Sequence, residues 1–300
     1  MAISTDSLVQ LSSALSARTA AARDAVVAIK RSGGRHLAAT VWRPDLLVAS
    51  EQSLARGDRF DVVLPGGAAA EVTLAGRDPG TNIALLRLAQ PLGTGAGQTA
   101  RAEVGSLALA FGADGAGGAT VRLGIVNAVG PEWHSRRGGR IDARIALDLR
   151  LAPSEEGGPV FDAEGGRLGI TTFGPRGRVL VIPANTIDAI VPLLLQHGRV
   201  ARGWLGVAFQ PVAVPDPLQP QAGQASGLMV LSVVEGGPAA KAGVMAGDIV
   251  LTVDGTPTTA VRRLVPRLGA DSVGRSVDLR LLRGGAPVTV QAVIEARPGA

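Results

Sequence analysis

The sequence predicts a mainly β protein of more than one domain, with a short helix at its start, and three observations carry that expectation. The chain has 300 residues, enough to bury more than one core. Its 41 Gly and 19 Pro suit a chain of many short strands, each of which needs a reversal. Its apolar residues recur in short alternating runs rather than in long helical stripes.

Taken in order, residues 5–24 read as an amphipathic helix with Thr5 or Ser7 as its cap and Leu8, Leu11 and Leu15 on one face. Six runs follow, at 25–30, 37–42, 46–50, 60–64, 70–75 and 83–88, and Pro65-Gly66-Gly67 punctuates them as a hairpin turn would. Six such strands suit one small β-barrel. A second set at 107–111, 120–129, 141–149, 160–162, 168–173 and 179–182 suits another. Asn185 then caps a helix whose Ile187, Ile190, Val191, Leu194 and Leu195 form one stripe, and Gly198 stops it. Residues 199–202 are a short basic connector. The expected divisions are 1–24, 25–184, 185–202 and 203–300.

Composition excludes several function classes. Apolar residues make up 46% of the chain and charged residues 18%, which fits a folded globular protein rather than a disordered one. Net charge is only +5, and it is spread evenly: residues 203–300 hold eight basic against seven acidic residues. No run of Lys or Arg interleaves with aromatics, so no nucleic-acid partner is expected. No apolar run is long enough for a membrane span. Cysteine is absent, which removes disulfides, thiolate metal sites and thiol nucleophiles, and no metal or cofactor is expected. The N-terminus shows no basic region followed by an apolar one, so a cytoplasmic location is expected, or an exported one if a leader has been trimmed.

The motifs are more specific. Pro153-Ser154-Glu155-Glu156-Gly157-Gly158-Pro159 resembles the nucleophile loop of the HtrA/Deg family of trypsin-like serine proteases, Pro-Gly-Asn-Ser-Gly-Gly-Pro, with Glu156 at the Ser position and Ser154 at the first Gly. Residues 47–54 resemble the strand and turn that lead to the family's catalytic His, with Gln52 at that position. Residues 77–87 match the segment of the catalytic Asp almost residue for residue, with Asn82 in its place. The segments at 123–126, 181–185 and 196–207 resemble a second-barrel strand, the strand and helix after the substrate pocket, and the joint into a C-terminal PDZ domain.

The resemblance therefore implies a trypsin-like double β-barrel followed by a PDZ domain of α+β type. In that fold Gln52, Asn82 and Glu156 converge on the cleft between the barrels, beside the oxyanion loop at Ser154 and Glu155.

Chemistry then argues against a Ser–His hydrolase. A Ser hydroxyl needs an imidazole to remove its proton and a carboxylate to orient that imidazole. Gln52 has no basic nitrogen, Asn82 carries no charge, and His36, His134 and His197 match none of the three positions. A pseudoprotease, without enzymatic activity, is the expectation. The alternative is an active endopeptidase, either of the serine type through a Ser outside the matched position, or one in which Glu156 activates a water while Gln52 steadies the oxyanion, as a Glu–Gln pair does in the glutamic peptidases.

In the last third, Trp204-Leu205-Gly206-Val207 resembles the carboxylate-binding loop of a PDZ domain. Residues 236–244 and 247–255 match the family's Gly-x-Pro-Ala turn and Gly-Asp strand. Backbone N–H groups of such a loop cradle a terminal carboxylate, and the peptide adds as a strand to the sheet edge. A helix over 258–268 would place Val261, Leu264, Val265 and Leu268 on one face, as pocket wall or as core. Exposed or C-terminal polypeptide segments are the expected partners, in a scaffold, regulatory or quality-control role. A homo-oligomer, a trimer by resemblance, and a purely structural subunit are the further readings.

Overall fold

A computed structural model describes residues 5–93, 97–135, 137–269 and 272–297 of the chain. It divides into two compact units. The first comprises residues 1–135 and 140–200, the second residues 136–139 and 201–300.

The first unit opens with α1 (Thr5–Ala22). Only the C-terminal half of this helix is packed: Leu15 and Ala22 meet a cluster that includes Val26, Ala28, Leu109, Phe111 and Phe161. Leu8 and Leu11 stay about half exposed, so the expected Leu8–Leu11–Leu15 face is covered at one end only.

Strands β1 (Val26–Lys30), β2 (His36–Arg43), β3 (Leu46–Ser50), β4 (Arg59–Val63), β5 (Ala69–Asp78) and β6 (Ile83–Leu88) close a barrel in the order β1-β2-β3-β6-β5-β4. Alternation explains its core. Val27, Ile29, Leu37, Ala39, Val41, Leu47, Ala49, Val62, Ala84 and Leu86 point to one interior, as the period of two requires.

A second barrel follows from β7 (Leu107–Ala113), β8 (Ala119–Gly130), β11 (Arg144–Asp148), β12 (Pro159–Asp162), β13 (Arg167–Phe173) and β14 (Val179–Pro183), in the order β11-β14-β13-β12-β7-β8. Between β8 and β11 lies a two-stranded ribbon, β9 (Trp133–His134) with β10 (Arg140–Ile141). The run expected at 141–149 is thus broken. Asp142 turns out of the strand to exchange hydrogen bonds with Thr186, its N–H donating to the hydroxyl and its carboxylate accepting from it, each at 3.0 Å.

Helix α2 (Ala184–His197) ends at Gly198 in the left-handed conformation. Its N-cap is Pro183, not Asn185, because β14 runs straight into the helix and places Asn185 inside the first turn. The buried Ile187, Val191 and Leu194 pack on Trp42, Leu46, Val48, Ile83, Leu85 and Ile170, so α2 covers the outer faces of strands from both barrels.

The second unit is a sheet in the order β16-β17-β18-β20-β21, formed by β16 (Val207–Ala213), β17 (Ser226–Val233), β18 (Ile249–Val253), β20 (Ser276–Arg283) and β21 (Ala286–Val293). A short β19 (Thr256–Pro257) pairs with β18, and β15 (Gly203–Trp204) pairs with β22 (Glu295–Ala296). Helices α3 (Gln219–Ala222), α4 (Pro238–Lys241) and α5 (Val261–Leu264) complete it.

The helix expected over 258–268 is therefore only four residues long and continues as a tighter turn to Leu268. Pro266 has no N–H to donate to a continuing α-helix. At its other end, the Thr258 hydroxyl is held by the Val250 and Leu251 carbonyls, which keeps that residue out of the helix.

Candidate functional site

The two barrels bring Gln52, Asn82 and Glu156 into one hydrogen-bonded cluster. Glu156 follows a short 3-10 turn at Pro153–Glu155 and precedes Gly157 and Gly158. The glycines are explained by packing: a Cβ on Gly158 would collide with the backbone carbonyl of Phe111, so no larger residue lets the loop lie this close to β7. Ser154 sits inside the 3-10 turn with no positive φ, so Ser is tolerated where the resembling loop has Gly.

Glu156 is 3% exposed and is surrounded by neutral donors. Its Oε1 accepts from Ser50 Oγ at 2.8 Å, Gln52 Nε2 at 2.5 Å, Thr172 Oγ1 at 2.9 Å and the Phe173 N–H at 3.3 Å. Its Oε2 accepts from the Ser53 hydroxyl. Burying a carboxylate costs several kcal/mol, and hydrogen bonds to a charged group return about 1.5–3 kcal/mol each. Donors without a cation therefore hold Glu156 in place.

Asn82 lies one layer behind. Its Nδ2 donates to Ser50 Oγ at 2.9 Å and Thr172 Oγ1 at 2.8 Å, and its Oδ1 accepts the Gln52 backbone N–H at 2.7 Å. It adopts φ 61°, a left-handed conformation that Asn accepts more readily than most residues. Asn82 thus fixes the backbone of Gln52 and orients the hydroxyls that feed Glu156.

Glu155 points the opposite way. Its carboxylate accepts from Thr120 Oγ1 at 2.9 Å, Arg122 Nε at 3.1 Å and the Ala152 N–H at 2.7 Å. Burial pushes this carboxyl up, but the Ala152 N–H, Arg122 and Thr120 outweigh it and hold the group below its ordinary range. Two adjacent carboxylates therefore pin the loop from opposite sides, Glu155 to β8 and Glu156 to β13 and the turn after β3.

Sequence reasoning missed Ser50, Ser53 and Thr172 as members of the cluster. Ser50 and Ser53 flank Gln52 within two residues, a signal that was present; Thr172 reaches the site from β13, far along the chain. Of the three histidines, His36 donates from Nε2 to the Ala113 carbonyl, 2.8 Å away, and none enters the cluster. Among the described residues no group of three or more His, Asp or Glu could hold a metal, and no helix is long and apolar enough to cross a membrane.

In the second unit, the site residues separate into two kinds. Gly206 has φ 75°, and a Cβ there would press on the Trp204 ring at 3.2 Å, so both conformation and space require Gly. The carbonyl of Leu205 accepts from Ala239, and that of Gly206 from Val234. Among the described residues no acceptor is found for the Leu205 or Gly206 N–H. Trp204 belongs to β15 rather than to the loop, and its ring lies beside Gly206 and Gly237.

Leu205 and Leu264 are buried in the core of the unit, whereas Val207, Val265 and Leu268 are half-buried and Val261 is exposed. Leu264 is thus core rather than pocket wall. Away from the loop, Arg283 forks onto Asp248, Nε to Oδ1 and an Nη to Oδ2, both at 2.8 Å. Burial raises the Asp248 carboxyl, and Arg283 and the Met245 N–H more than reverse it, leaving it below the ordinary range.

Comparison with known proteins adds the family. The trypsin-like peptidase domain family matches residues 37–170, and the PDZ domain family matches residues 203–294. Proteins named as probable periplasmic DegP-like serine endoproteases are similar over 84% of this chain: one from Bartonella henselae at 32% identity and one from Rhizobium meliloti at 30%. The chain spans about half the length of these curated relatives, 51% in both cases. Among solved structures, an HtrA-type protease, AlgW, with a decapeptide aligns at TM-score 0.72 and 25% identity, covering 95% of this chain and 99% of that one. The same protease with a tripeptide aligns at TM-score 0.71 and 27% identity, covering 95% and 98%.

These matches correct one expectation. The reading of the chain as no enzyme rested on the side chains at three positions, whereas the relatives are named endoproteases and the structural neighbours proteases. The proteins it resembles are thus named as enzymes, and the expectation of a chain without activity does not stand.

Proposed function

The chain is an HtrA-family protein, a trypsin-like peptidase domain joined to a PDZ domain, and from that premise we propose that it captures the carboxy-terminal end of extended polypeptides at the Leu205–Gly206 loop. The observation that carries this reading is the pair of N–H groups on Leu205 and Gly206, without an acceptor among the described residues, beside the outer edge of β16. That strand pairs with β17 alone. A carboxylate suits the loop because successive N–H groups converge on an anion. An extended segment suits the edge because β16 still offers main-chain donors and acceptors on one side. The decapeptide and tripeptide held by the AlgW structures support the same class of partner.

The test is fluorescence anisotropy with a labelled peptide of about ten residues, a length suited to one added strand. It should bind with a free C-terminus and lose affinity when amidated. Equal binding of both forms would refute capture through the carboxylate.

A second reading, cleavage of the captured polypeptide, is favoured by the endoprotease names of the relatives and by the Gln52–Glu156 contact. In this reading the Glu156 carboxylate exchanges one of its donors for a water and takes a proton from it as the resulting hydroxide attacks the peptide carbonyl, while the Gln52 amide turns from Glu156 to donate to the oxyanion that forms. It predicts casein cleavage that disappears in Glu156→Ala. No cleavage by the wild type from about pH 3 to pH 9, a span that covers carboxylate and imidazole titration, would leave capture as the function. The relatives' periplasmic naming favours an exported setting for this chain over the cytoplasmic one expected from its N-terminus.

A further inference from the structure

The geometry points to a second ligand site, on the outer face of the second barrel: a cationic pocket formed by Arg144, Arg176 and Arg178, which we propose seats an acidic polypeptide segment. The pocket has a volume of about 250 Å³ and is completed by Trp133, Pro175 and Leu180. Strand register explains its composition. Ala146 pairs with Leu180 across β11 and β14, and side chains two residues apart share a face. Arg144 and Arg178 therefore stand on the same side as Leu180. The neighbouring Ile145, Leu147, Val179 and Val181 fill the barrel interior. Arg176 joins from the connection between β13 and β14, where it holds φ 60°.

Three features mark this as a site rather than a solvated surface. All three arginines are exposed, and none of them forms a salt bridge with an acidic residue among those described. Gathering three cations around one hollow is unfavourable without an anion, so the pocket is electrostatically incomplete as it stands. Its floor and wall are apolar, from Pro175, Leu180 and the half-buried Trp133, and the indole N–H of Trp133 has no acceptor among the described residues.

Size and charge choose the occupant. Sites for drug-sized ligands and cofactors run from about 300 to 1,000 Å³, so this pocket suits one apolar side chain rather than a cofactor. Guanidinium groups bind carboxylates through paired N–H donors. A segment with Asp or Glu on either side of an apolar residue would fill the floor and pair the rim. A nucleic-acid strand fits less well, because the charge of the chain is spread evenly and the site holds a single aromatic ring.

The site is independent of the Leu205–Gly206 loop, and its test keeps the two apart. A fluorescein-labelled peptide alternating Glu and Leu, amidated at its C-terminus so that carboxylate capture cannot contribute, is titrated into the full chain by anisotropy. The expected result is saturable binding that weakens sharply from about 50 to about 300 mM salt. The triple variant Arg144→Gln/Arg176→Gln/Arg178→Gln should weaken it at least tenfold. Arg178→Gln alone should act in the same direction by less, which guards against misfolding of the triple variant. Quenching of tryptophan emission by the bound peptide should disappear in Trp133→Phe. Unchanged affinity in both arginine variants would overturn the assignment. So would equal binding of a Lys–Leu peptide, or binding of inorganic phosphate or a single-stranded oligonucleotide as tight as that of the acidic peptide.

Discussion

Around Glu156 in the first unit, five donors from two segments of the chain converge on one carboxylate, whereas at Leu205 and Gly206 in the second unit two backbone donors have no acceptor among the described residues. The first site is satisfied from within, and the second is finished only by something from outside. The difference lies in which groups do the bonding. Side chains can turn toward an available partner, so the hydroxyls and amides left in the cleft closed around the carboxylate. Backbone N–H groups held by a left-handed Gly cannot turn to find another partner. Within the second unit the closed arrangement occurs instead at Asp248 and Arg283.

That contrast can be broken or sharpened in four ways. The largest effect belongs to the charge pair. Asp248→Ala removes the buried carboxylate that accepts from Arg283 and from the Met245 N–H, while Arg283 keeps the Gly243 carbonyl, and should destabilise the second unit by about 3 kcal/mol, read as a drop in denaturation midpoint followed by tryptophan emission. A change below about 1 kcal/mol would show that the pair contributes no more than a surface bridge.

Next comes the closed cluster. Glu156→Ala leaves several buried donors without an acceptor and should cost about 2–3 kcal/mol, while Glu156→Gln, which keeps an acceptor oxygen, should cost less. Chemical denaturation compares the two, and equal losses would mean that volume rather than hydrogen bonding holds the loop. Smaller again is Gly206→Ala. A side chain at φ 75° costs about 1–2 kcal/mol and crowds Trp204, so peptide affinity should fall about tenfold with the first unit unaffected. Full affinity in that variant would remove the loop from the proposed site.

The smallest effect is one of pH. Glu155 and Asp248 both have carboxyls held below their ordinary values of 4.5 and 3.8. Stability from a lowered carboxyl is complete above its unfolded value and is lost as pH falls through the folded one. Midpoints measured from about pH 6 to pH 3 should therefore decline in the acid range. Glu155→Gln should flatten the decline of the first unit and Asp248→Asn that of the second. A decline unaltered by either variant would place the acid sensitivity elsewhere.

Much of the fold was legible because it rests on local signals. Strand runs such as 46–50 and 83–88 coincide with β3 and β6, since alternating apolar residues bounded by turn residues admit few other conformations. The helix at 258–268 was misread because its apolar spacing outweighed Pro266, and Leu264 was left between pocket and core because spacing shows a shared face without showing what lies against it. The cluster was legible only in part. Gln52, Asn82 and Glu156 could be paired through resemblance, but Thr172 carries no signal that it bonds to a residue sixteen positions earlier.

By itself, then, the sequence determined most of the strand pattern and, through its resemblance to a family, the two barrels, the final PDZ domain and the residues that meet in the cleft. These follow from periodicity, turn chemistry and motif, all of which are written along the chain. Only the tertiary structure decided that Glu156 is closed in by Ser50, Ser53 and Thr172, that Glu155 faces the other way onto Arg122, and that three arginines from β11 and the β13–β14 connection share one pocket. Such contacts depend on the register between strands and on the direction of each side chain. Both are set by packing across the fold rather than by neighbours in sequence.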